Sequence, residues 1–262
     1  MNMLMKSNIS SLRTVRLFFC LMMLLLFSAI LNAAPPVPKN CRQMILVITP
    51  SPDDFQGKLY RFQRSANDSD WQPVSGENPV VVGKKGLGWG IGLHSQSIPK
   101  MPVKREGDGK SPAGVFKLSA VFGFAPSEKM RDLKMPYLHV SKALECVDDV
   151  RSRFYNRMIY RDKADSVDWH SSEKMRKIGA KYELGVFVDH NAAMAKPGAG
   201  SCIFLHIWGG VDDPTIGCTA MPREKMQTIV RWLDADKQPV LVQLTNALYQ
   251  QFKTPWHLPE SM

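Results

Sequence analysis

Apolar positions along the chain occur in short runs or alternate with polar ones, which is the pattern of β-strands. Residues 43–49 are almost continuously apolar, and residues 57–64 alternate after a turn-rich stretch at 50–54. Further strands are predicted at residues 79–83, 114–118, 184–189, 201–208 and 238–244. Strands dominate the pattern, so we predict a mostly β fold with flanking helices.

The clearest helical signal follows the last cysteine of the chain. Pro222 suits the first position of a helix, and apolar side chains then recur at helical spacing before Asp234: Met226, Ile229, Val230 and Leu233. We therefore predict a helix that begins shortly after Cys218.

Residues 151–181 have weak periodicity and form a loop or irregular helical insert in this interpretation. They carry nine basic and four acidic side chains, interleaved with Phe154, Tyr155, Tyr160 and Trp169. Two hypotheses stay open for this insert: a solvated face, or the wall of a groove for an anionic, sugar-bearing ligand.

The N-terminal residues 1–34 have the pattern of a secretory signal peptide. Three basic residues precede an apolar run at 17–31, which ends at Asn32, Ala33 and Ala34. Fifteen apolar residues are short for a membrane span, which needs about 20. We expect cleavage near Ala33 or Ala34, export to the periplasm or cell envelope, and no stable membrane span afterwards. An uncleaved anchor is the alternative, since Leu31 is not the small residue that a signal peptidase prefers.

The remaining residues 35–262 are predicted to form one domain, because no second composition block is visible. The formal net charge of +10 falls to +7 when the three basic residues of the signal leave. Outside the cytoplasm a basic protein meets anionic wall material or lipid head groups rather than nucleic acid, although simple solubility is an alternative explanation. We expect a monomer that binds no nucleic acid.

Several weak motifs in the sequence are better explained as turns or chance matches than as functional sites. The glycine-rich residues 83–92 lack the context of a phosphate loop. The Ser-x-x-Lys matches at 97–100 and 171–174 lack the Lys-Thr-Gly partner of penicillin-binding serine enzymes. Zinc peptidases need clustered histidines, and the six histidines of this chain are scattered. We therefore expect no metal and no cofactor.

The informative segment runs from Ser201 to Pro222. In its strand, Ile203, Leu205 and Ile207 share one face, and Cys202, Phe204 and His206 share the other. A turn-rich stretch at 209–214 then predicts a reversal that returns Cys218 to the side of His206. Gly217 is expected to permit a sharp turn that exposes the sulfur, with the Gly217 and Cys218 amides as an oxyanion hole.

These residues predict cysteine acyl transfer, with Cys218 as nucleophile and His206 as base. A free thiol has a pKa of about 8.5, so an adjacent imidazole and a helix start are what activate it. The alternative is structural: a buried or disulfide-bonded Cys218 and a satisfied core His206. Once the signal has left, Cys41, Cys146, Cys202 and Cys218 allow two disulfides, or one disulfide with two thiols.

Two ordered motifs resemble the L,D-transpeptidase catalytic-domain family. His206 followed by Thr215-Ile216-Gly217-Cys218 is similar to its active-site signature. Upstream, Ser111-Pro112-Ala113-Gly114-Val115-Phe116 follows Val80-Val81-Val82-Gly83-Lys84, as in that family. The resemblance covers about residues 79–244. Two positions depart from it: Ile207 replaces a common glycine, and Ala220 replaces a common arginine, for which Arg223 or the basic insert is a candidate substitute.

The resemblance implies an L,D-transpeptidase-like β-sandwich or barrel catalytic domain, free of metal, that acts on peptidoglycan peptide stems. The cysteine attacks the carbonyl of the third stem residue and expels a terminal D-alanine. An amine of a second stem resolves the acyl-enzyme into a cross-link, whereas water makes the protein an L,D-carboxypeptidase. A non-catalytic wall-binding protein is the remaining alternative. Thr215 and Asp213 are candidate supporting residues, and the candidates that orient His206 are Asp189, His190, Asp212 and Asp213.

The resemblance also bears on the cysteines, because it requires Cys218 as a thiol. Cys41 and Cys146 then become the candidate disulfide, with Cys202 free or paired with one of them. Cys202 lies about 13 Å along an extended strand from His206. It is a second, weaker nucleophile candidate, and a packed small residue is its structural interpretation.

Overall fold

A computed structural model describes residues 35–260 except for 68, 96 and 99. The predicted signal segment, residues 1–34, lies outside the described residues, and its removal stays a prediction. No helix among the residues described is long and apolar enough to cross a bilayer.

Strands account for most of the regular structure. In chain order, the strands in the described part of the chain are β1 Gln43–Thr49, β2 Gln56–Gln63, β3 Gln72–Val81, β4 Leu87–Trp89, β5 Ser111–Gly123, β6 Tyr137–His139, β7 Leu144–Cys146, β8 Met158–Tyr160, β9 Glu173–Lys174, β10 Leu184–Val188, β11 Phe204–Ile207, β12 Thr219–Met221 and β13 Val240–Thr245.

Eight of these strands close into a barrel. The ring runs β10-β11-β12-β3-β2-β1-β13-β5, and β5 pairs with β10 to complete it. Strands β4 and β6 attach to the long strand β5. Every predicted strand overlaps one of these strands, and the predicted mostly β, barrel-like fold is confirmed.

In the part of the chain that the structure describes, two α-helices pack on the barrel. Helix α1, Arg223–Trp232, has Pro222 as its N-terminal cap and buries Met226, Ile229 and Val230, as the periodicity predicts. Helix α2, Asn246–Phe252, is capped by Thr245, whose hydroxyl accepts a hydrogen bond from the Leu248 amide. Short 3-10 helices cover residues Ser127–Met130, Arg161–Lys163, Met175–Tyr182 and Ala235–Lys237.

The alternation predicted for strand β11 separates two hydrophobic clusters. Ile203, Leu205 and Ile207 belong to the main core of the barrel. Cys202, Phe204 and Cys218 belong to a second cluster, between the barrel and the segment around residues 140–182. The face of β11 that carries His206 is therefore covered by this segment.

The insert and the residues that flank it, together residues 144–182, are more ordered than the sequence predicts, and the name insert refers to this range from here on. Strands β7, β8 and β9 form a three-stranded sheet, followed by the 3-10 helix Met175–Tyr182. The strands are only two or three residues long, so periodicity cannot reveal them. Side chains fix the insert instead: buried Glu145 accepts hydrogen bonds from Trp169 Nε1 at 2.8 Å and Ser172 Oγ at 2.7 Å. The predicted loop or irregular helical insert is confirmed for most of residues 151–181, which are turns, loops and 3-10 helices, but the prediction missed the short strands β8 and β9.

The predicted Cys41–Cys146 disulfide is also wrong. Cys146 is bonded to Cys202, with a Cα–Cα distance of 5.9 Å, and the bond ties the insert to the end of the barrel strand β11. Cys41 is a buried thiol in the main core, where its sulfur donates to the Gln43 carbonyl at 3.3 Å. Cys41 and Cys146 thus belong to different hydrophobic clusters. Cys202, being in the disulfide, is not available as a nucleophile.

Candidate active site

The two sequence motifs meet at the main-chain carbonyl of Cys218. This oxygen accepts hydrogen bonds from Ser111 Oγ at 2.7 Å and from Thr215 Oγ1 at 2.6 Å. Ser111 Oγ in turn accepts from the Gly83 amide at 2.8 Å. Residues that are more than one hundred positions apart in the sequence therefore fix the backbone that carries the sulfur.

The upstream motif needs its glycine for a steric reason. Gly114 has φ of +136°, and a Cβ there would lie 1.9 Å from Cε1 of His94. His94 Nδ1 accepts a hydrogen bond from the Val115 amide at 3.0 Å, and its Nε2 is 3.0 Å from the Gly90 carbonyl. The imidazole thus braces the strand that presents Ser111.

The Cys218 sulfur lies at the floor of the site, and the residue as a whole is 6% exposed. It accepts a hydrogen bond from the Phe204 amide at 3.3 Å and donates to the Cys202 carbonyl at 3.6 Å. Burial raises the pKa of the thiol to about 12, and nearby Glu173 acts in the same direction. The hydrogen bond from the Phe204 amide, the nearby Tyr182 side chain and the charge of Lys104 oppose this rise in pKa. The resting sulfur is therefore a protonated thiol near pH 7.

His206 is buried in strand β11, and its Nδ1 is 2.8 Å from the Ile207 carbonyl. A carbonyl oxygen only accepts, so Nδ1 carries the proton and Nε2 is left as the basic nitrogen. Burial lowers the pKa of His206 to about 4, so the ring is neutral near pH 7. Such a ring is able to accept a proton.

Strand pairing sets the relation between His206 and Cys218. Strands β11 and β12 are parallel and place His206 beside Ala220, so that Cys218 lies at the level of Phe204. The Tyr182 ring contacts both levels, with centroids 5.3 Å from those of Phe204 and His206. Among the described residues, the sulfur's partners are Phe204, Cys202 and Tyr182. A hydrogen bond from Cys218 to His206 therefore requires a side-chain movement.

The side chains predicted to orient His206 form hydrogen bonds or ion pairs with other residues. The Ile207 carbonyl orients the His206 ring instead. Asp189 accepts a hydrogen bond from Ser119, Asp212 accepts one from Gln56, Asp213 pairs with Lys181, and His190 lies between the Ile91 amide and the Ala199 carbonyl. Asp213 and Lys181 act on His206 only through space, and their effects on its pKa are opposed.

The two amides predicted to form the oxyanion hole, those of Gly217 and Cys218, differ in their hydrogen bonding. The Gly217 amide donates to Thr215 Oγ1 at 3.1 Å, whereas the Cys218 amide has no protein acceptor in the described part of the chain. Gly217 does not adopt a positive φ, so the expected steric reason for this glycine was wrong. A Cβ at Gly217 would lie 3.5 Å from Ile203 Cδ1 at the cleft wall. This distance and the 3.4 Å to the Lys110 carbonyl oxygen are ordinary van der Waals contacts, so the packing has room for an alanine and does not explain the glycine.

The surroundings of Ala220 explain why this chain lacks the arginine that is common at this position in the family. It is 1% exposed and lies directly between His206 and Val81 in the sheet, so there is no room for an arginine side chain. Arg223, the candidate substitute, forms an ion pair with Glu183.

A cleft of about 310 Å³ leads to the sulfur, and its walls carry both signs of charge. Exposed Lys84 lies on the rim, and buried Lys104 pairs with Asp108 at 2.6 Å. The acidic groups of the walls are Glu106, Asp148 and Glu173. The described residues contain no group of three side chains suited to hold a metal ion.

Two residues of this site, Glu173 and Tyr182, belong to no recognisable sequence motif. Glu173 accepts a hydrogen bond from the Tyr182 hydroxyl at 2.5 Å, and both belong to the insert. Burial raises the pKa of Glu173 to about 7, and the charges of Asp148 and Glu106 add to the rise. In the sequence they are a lone glutamate and a lone tyrosine, and only the folded insert brings them to Cys218.

Together, these elements form a closed β-barrel in which a buried thiol lies below a cleft. The family model of the L,D-transpeptidase catalytic domain (YkuD) matches residues 56–242. The chain therefore belongs to this family, and the predicted resemblance is confirmed, with a match that begins upstream of residue 79. Domains of this family act on peptidoglycan, which fits a location in the cell envelope.

Among solved structures, the chain is similar to Bd1075 of Bdellovibrio bacteriovorus, with 14% sequence identity and a TM-score of 0.39. The match covers 79% of this chain and 52% of Bd1075, so the chain spans about half the length of that protein. A comparison with curated protein sequences gives no significant match.

Proposed function

We propose that the protein is an exported cysteine L,D-transpeptidase that transfers acyl groups of peptidoglycan peptide stems through an acyl-enzyme on Cys218. One observation carries the proposal: the hydroxyls of Ser111 and Thr215, from two separate motifs, converge on the Cys218 carbonyl. A cysteine with only a packing role does not need its main chain held from two sides at the floor of a cleft.

In the proposed reaction, the Cys218 thiolate attacks the carbonyl of the third stem residue. The Cys218 amide donates to the oxyanion, and D-alanine leaves after its amine takes a proton. Neutral His206 serves through Nε2, first as general base and then, protonated, as the acid for the leaving amine. An amine of a second stem then attacks the thioester and restores the thiol.

The charges of the cleft suit a substrate that carries carboxylates and amines together. Lys84 offers an exposed ammonium group on the rim, while Lys104 is already tied to Asp108. The acidic side chains of the walls offer partners for an ammonium group of the substrate. They are Glu106, Asp148 and Glu173. We assign to Lys84 the carboxylate recognition that an arginine at position 220 would otherwise provide.

The test is to incubate residues 35–262 with tetrapeptide muropeptides and to identify the products by mass spectrometry, with and without an acceptor amine. A cross-linked dimer supports transpeptidation, and a tripeptide formed without an acceptor indicates an L,D-carboxypeptidase. Cys218→Ala should abolish both products. Cys41→Ala is the matched control, since it removes the other buried thiol outside the cleft. Full activity of Cys218→Ala would overturn the proposal.

Export has its own test. Expression of the full chain, followed by cell fractionation and N-terminal sequencing, should recover a mature protein from the envelope fraction that begins near residue 34 or 35. Size-exclusion chromatography of this mature form should give the mass of a monomer. An intact N-terminus on a membrane-bound product would support the anchored alternative.

A further inference from the structure

Two side chains of the cleft wall, one cationic and one apolar, lie next to each other. Lys84 and Ile216 directly follow Gly83 and Thr215, which form a parallel β-bridge. We propose that Lys84 and Ile216 together bind the terminal residue of the stem, Lys84 through its carboxylate and Ile216 through its methyl group, and so select D-alanine at that end. This inference rests on the proposed function and names residues that determine its specificity for the leaving group.

The main chain that carries these two side chains is fixed by hydrogen bonds. The Lys84 amide donates to the Thr215 carbonyl at 2.8 Å, and the Thr215 amide donates to the Val82 carbonyl at 3.0 Å. On the other side of Ile216, the Gly217 amide donates to Thr215 Oγ1 at 3.1 Å. The turn is therefore held in place by the barrel, so that binding of a substrate requires little ordering of its main chain.

Ile216 does not serve the hydrophobic core. The residue is 73% exposed, although it lies two positions before the buried Cys218. It forms part of the cleft wall together with Lys84. An apolar side chain gains no stability while water covers it, whereas it gains from contact with an apolar group of a ligand. The position of Ile216 therefore suits contact with the substrate.

Lys84 is the cation of the cleft that is free to meet an anionic group. The second lysine of the walls, Lys104, is buried and donates to Asp108 and to the Arg105 carbonyl, both at 2.6 Å. Lys84 is exposed and takes part in no ion pair among the residues that the structure describes. A carboxylate of the substrate is therefore an available partner for its ammonium group.

The terminal residue is the part of the stem whose chemistry matches this pair. In the proposed reaction, its amide bond to the third residue is the bond that breaks, so it lies beside the Cys218 sulfur. An extended residue spans about 3.5 Å, and only side chains close to the sulfur reach it. A terminal D-alanine carries a carboxylate and a methyl group on one Cα atom. Lys84 and Ile216 offer the complementary groups at neighbouring positions.

The experiment measures binding rather than turnover. Calorimetric titration uses residues 35–262 with Cys218→Ala, so that the peptide is not consumed, and tetrapeptide stems that end in D-alanine, glycine or D-alanine amide. We expect the D-alanine stem to bind about fourfold more tightly than the glycine stem, which is the effect of one buried methyl group. It should bind up to about fivefold more tightly than the amide, as an exposed ion pair allows.

Each variant, made in the same background, should remove one preference and keep the other. Ile216→Ser should bind the D-alanine and glycine stems equally and still prefer D-alanine to its amide, whereas Ile216→Val should keep both preferences. Lys84→Gln should lose only the preference over the amide. The matched controls are Lys85→Gln and Val211→Ser, at exposed residues outside the walls of this cleft, and they should keep both preferences.

The proposal is wrong if Ile216→Ser still prefers D-alanine to glycine, or if Lys84→Gln weakens the binding of the acid and the amide alike. Absence of saturable binding of every stem also contradicts it. The proposed function is judged separately, by the products that the unaltered protein forms. Cross-linking with unchanged preferences in the variants refutes only the roles of Lys84 and Ile216, whereas the expected preferences without any product refute only the proposed function.

Discussion

The hydroxyl of Ser111 donates a 2.7 Å hydrogen bond to the main-chain carbonyl of Cys218. Ser111 begins the long strand β5, whereas Cys218 ends the turn before β12. The bond ties the candidate nucleophile to the barrel, and Ser111 Oγ also accepts from the Gly83 amide. The position of the sulfur therefore depends on a residue distant from it in the sequence.

Ser111→Ala tests this support. The change leaves the buried Gly83 amide and one lone pair of the Cys218 carbonyl without a partner, which should cost about 1 to 3 kcal/mol in the free energy of unfolding. Urea denaturation followed by fluorescence measures the change. Ser119→Ala, at an exposed site on the same strand, is the control and should cost less than about 0.5 kcal/mol. Equal costs for the two variants would contradict this account of Ser111.

Restoration of the family arginine should harm this chain. Ala220→Arg places a charge in a closed space beside His206, and we expect a loss of at least about 3 kcal/mol in the free energy of unfolding. Ile216→Arg introduces the same charge at a residue that is 73% exposed, and it should be tolerated. Differential scanning calorimetry compares the two variants. A stable and more active Ala220→Arg would show that the site does have room for the arginine.

The Cys146–Cys202 disulfide should stabilise both the fold and the site. It closes a loop with a sequence separation of 56 residues, for which the chain-entropy model gives about 4 kcal/mol. The Cys146→Ala, Cys202→Ala double variant should lose about 2 to 4 kcal/mol in the free energy of unfolding. Hydrogen exchange should rise mainly in residues 140–182, because the bond anchors the insert. Uniform exchange across the chain would argue against this local role.

Glu173 gives the stability a specific dependence on pH. Its folded-state pKa is about 7 and its ordinary value is 4.5, so the folded state holds the extra proton between these values. The stability contributed by this group is therefore lost as the pH rises from 4.5 to 7. The Glu173→Gln variant does not suffer this loss of stability. The difference in free energy of unfolding, variant minus unaltered protein, should therefore increase by about 1 to 3 kcal/mol from pH 4.5 to pH 8. Urea denaturation at each pH measures it, and a constant difference would contradict the raised pKa.

The barrel strands were predictable because short apolar runs and apolar–polar alternation are both typical strand patterns. Strand β1 coincides with the predicted residues 43–49, and helix α1 begins at Arg223, one residue after the predicted first position at Pro222. The three-stranded sheet of the insert was not predictable, since its strands are too short for any period and are held by contacts such as those of Glu145.

At the site, the sequence was informative where a motif is local and uninformative where residues meet only through folding. Cys218 and His206 are singled out as candidates by spacing and strand alternation, whereas the hydrogen bond of Tyr182 to Glu173 and its ring contact with His206 exist only because the insert folds over β11. The disulfide was mispredicted for the same reason. Nothing in the spacing of Cys146 and Cys202 shows that their Cα atoms lie 5.9 Å apart.

The central claim is that Cys218 carries an acyl group during turnover. Intact-protein mass spectrometry of residues 35–262, quenched in acid within seconds of mixing with a tetrapeptide stem, tests it most directly. We predict an added mass equal to the tripeptide acyl group, located by peptide mapping on Cys218 and absent from Cys218→Ala. Formation of product by the unaltered protein without this adduct, or the same adduct on another residue in Cys218→Ala, would contradict the claim.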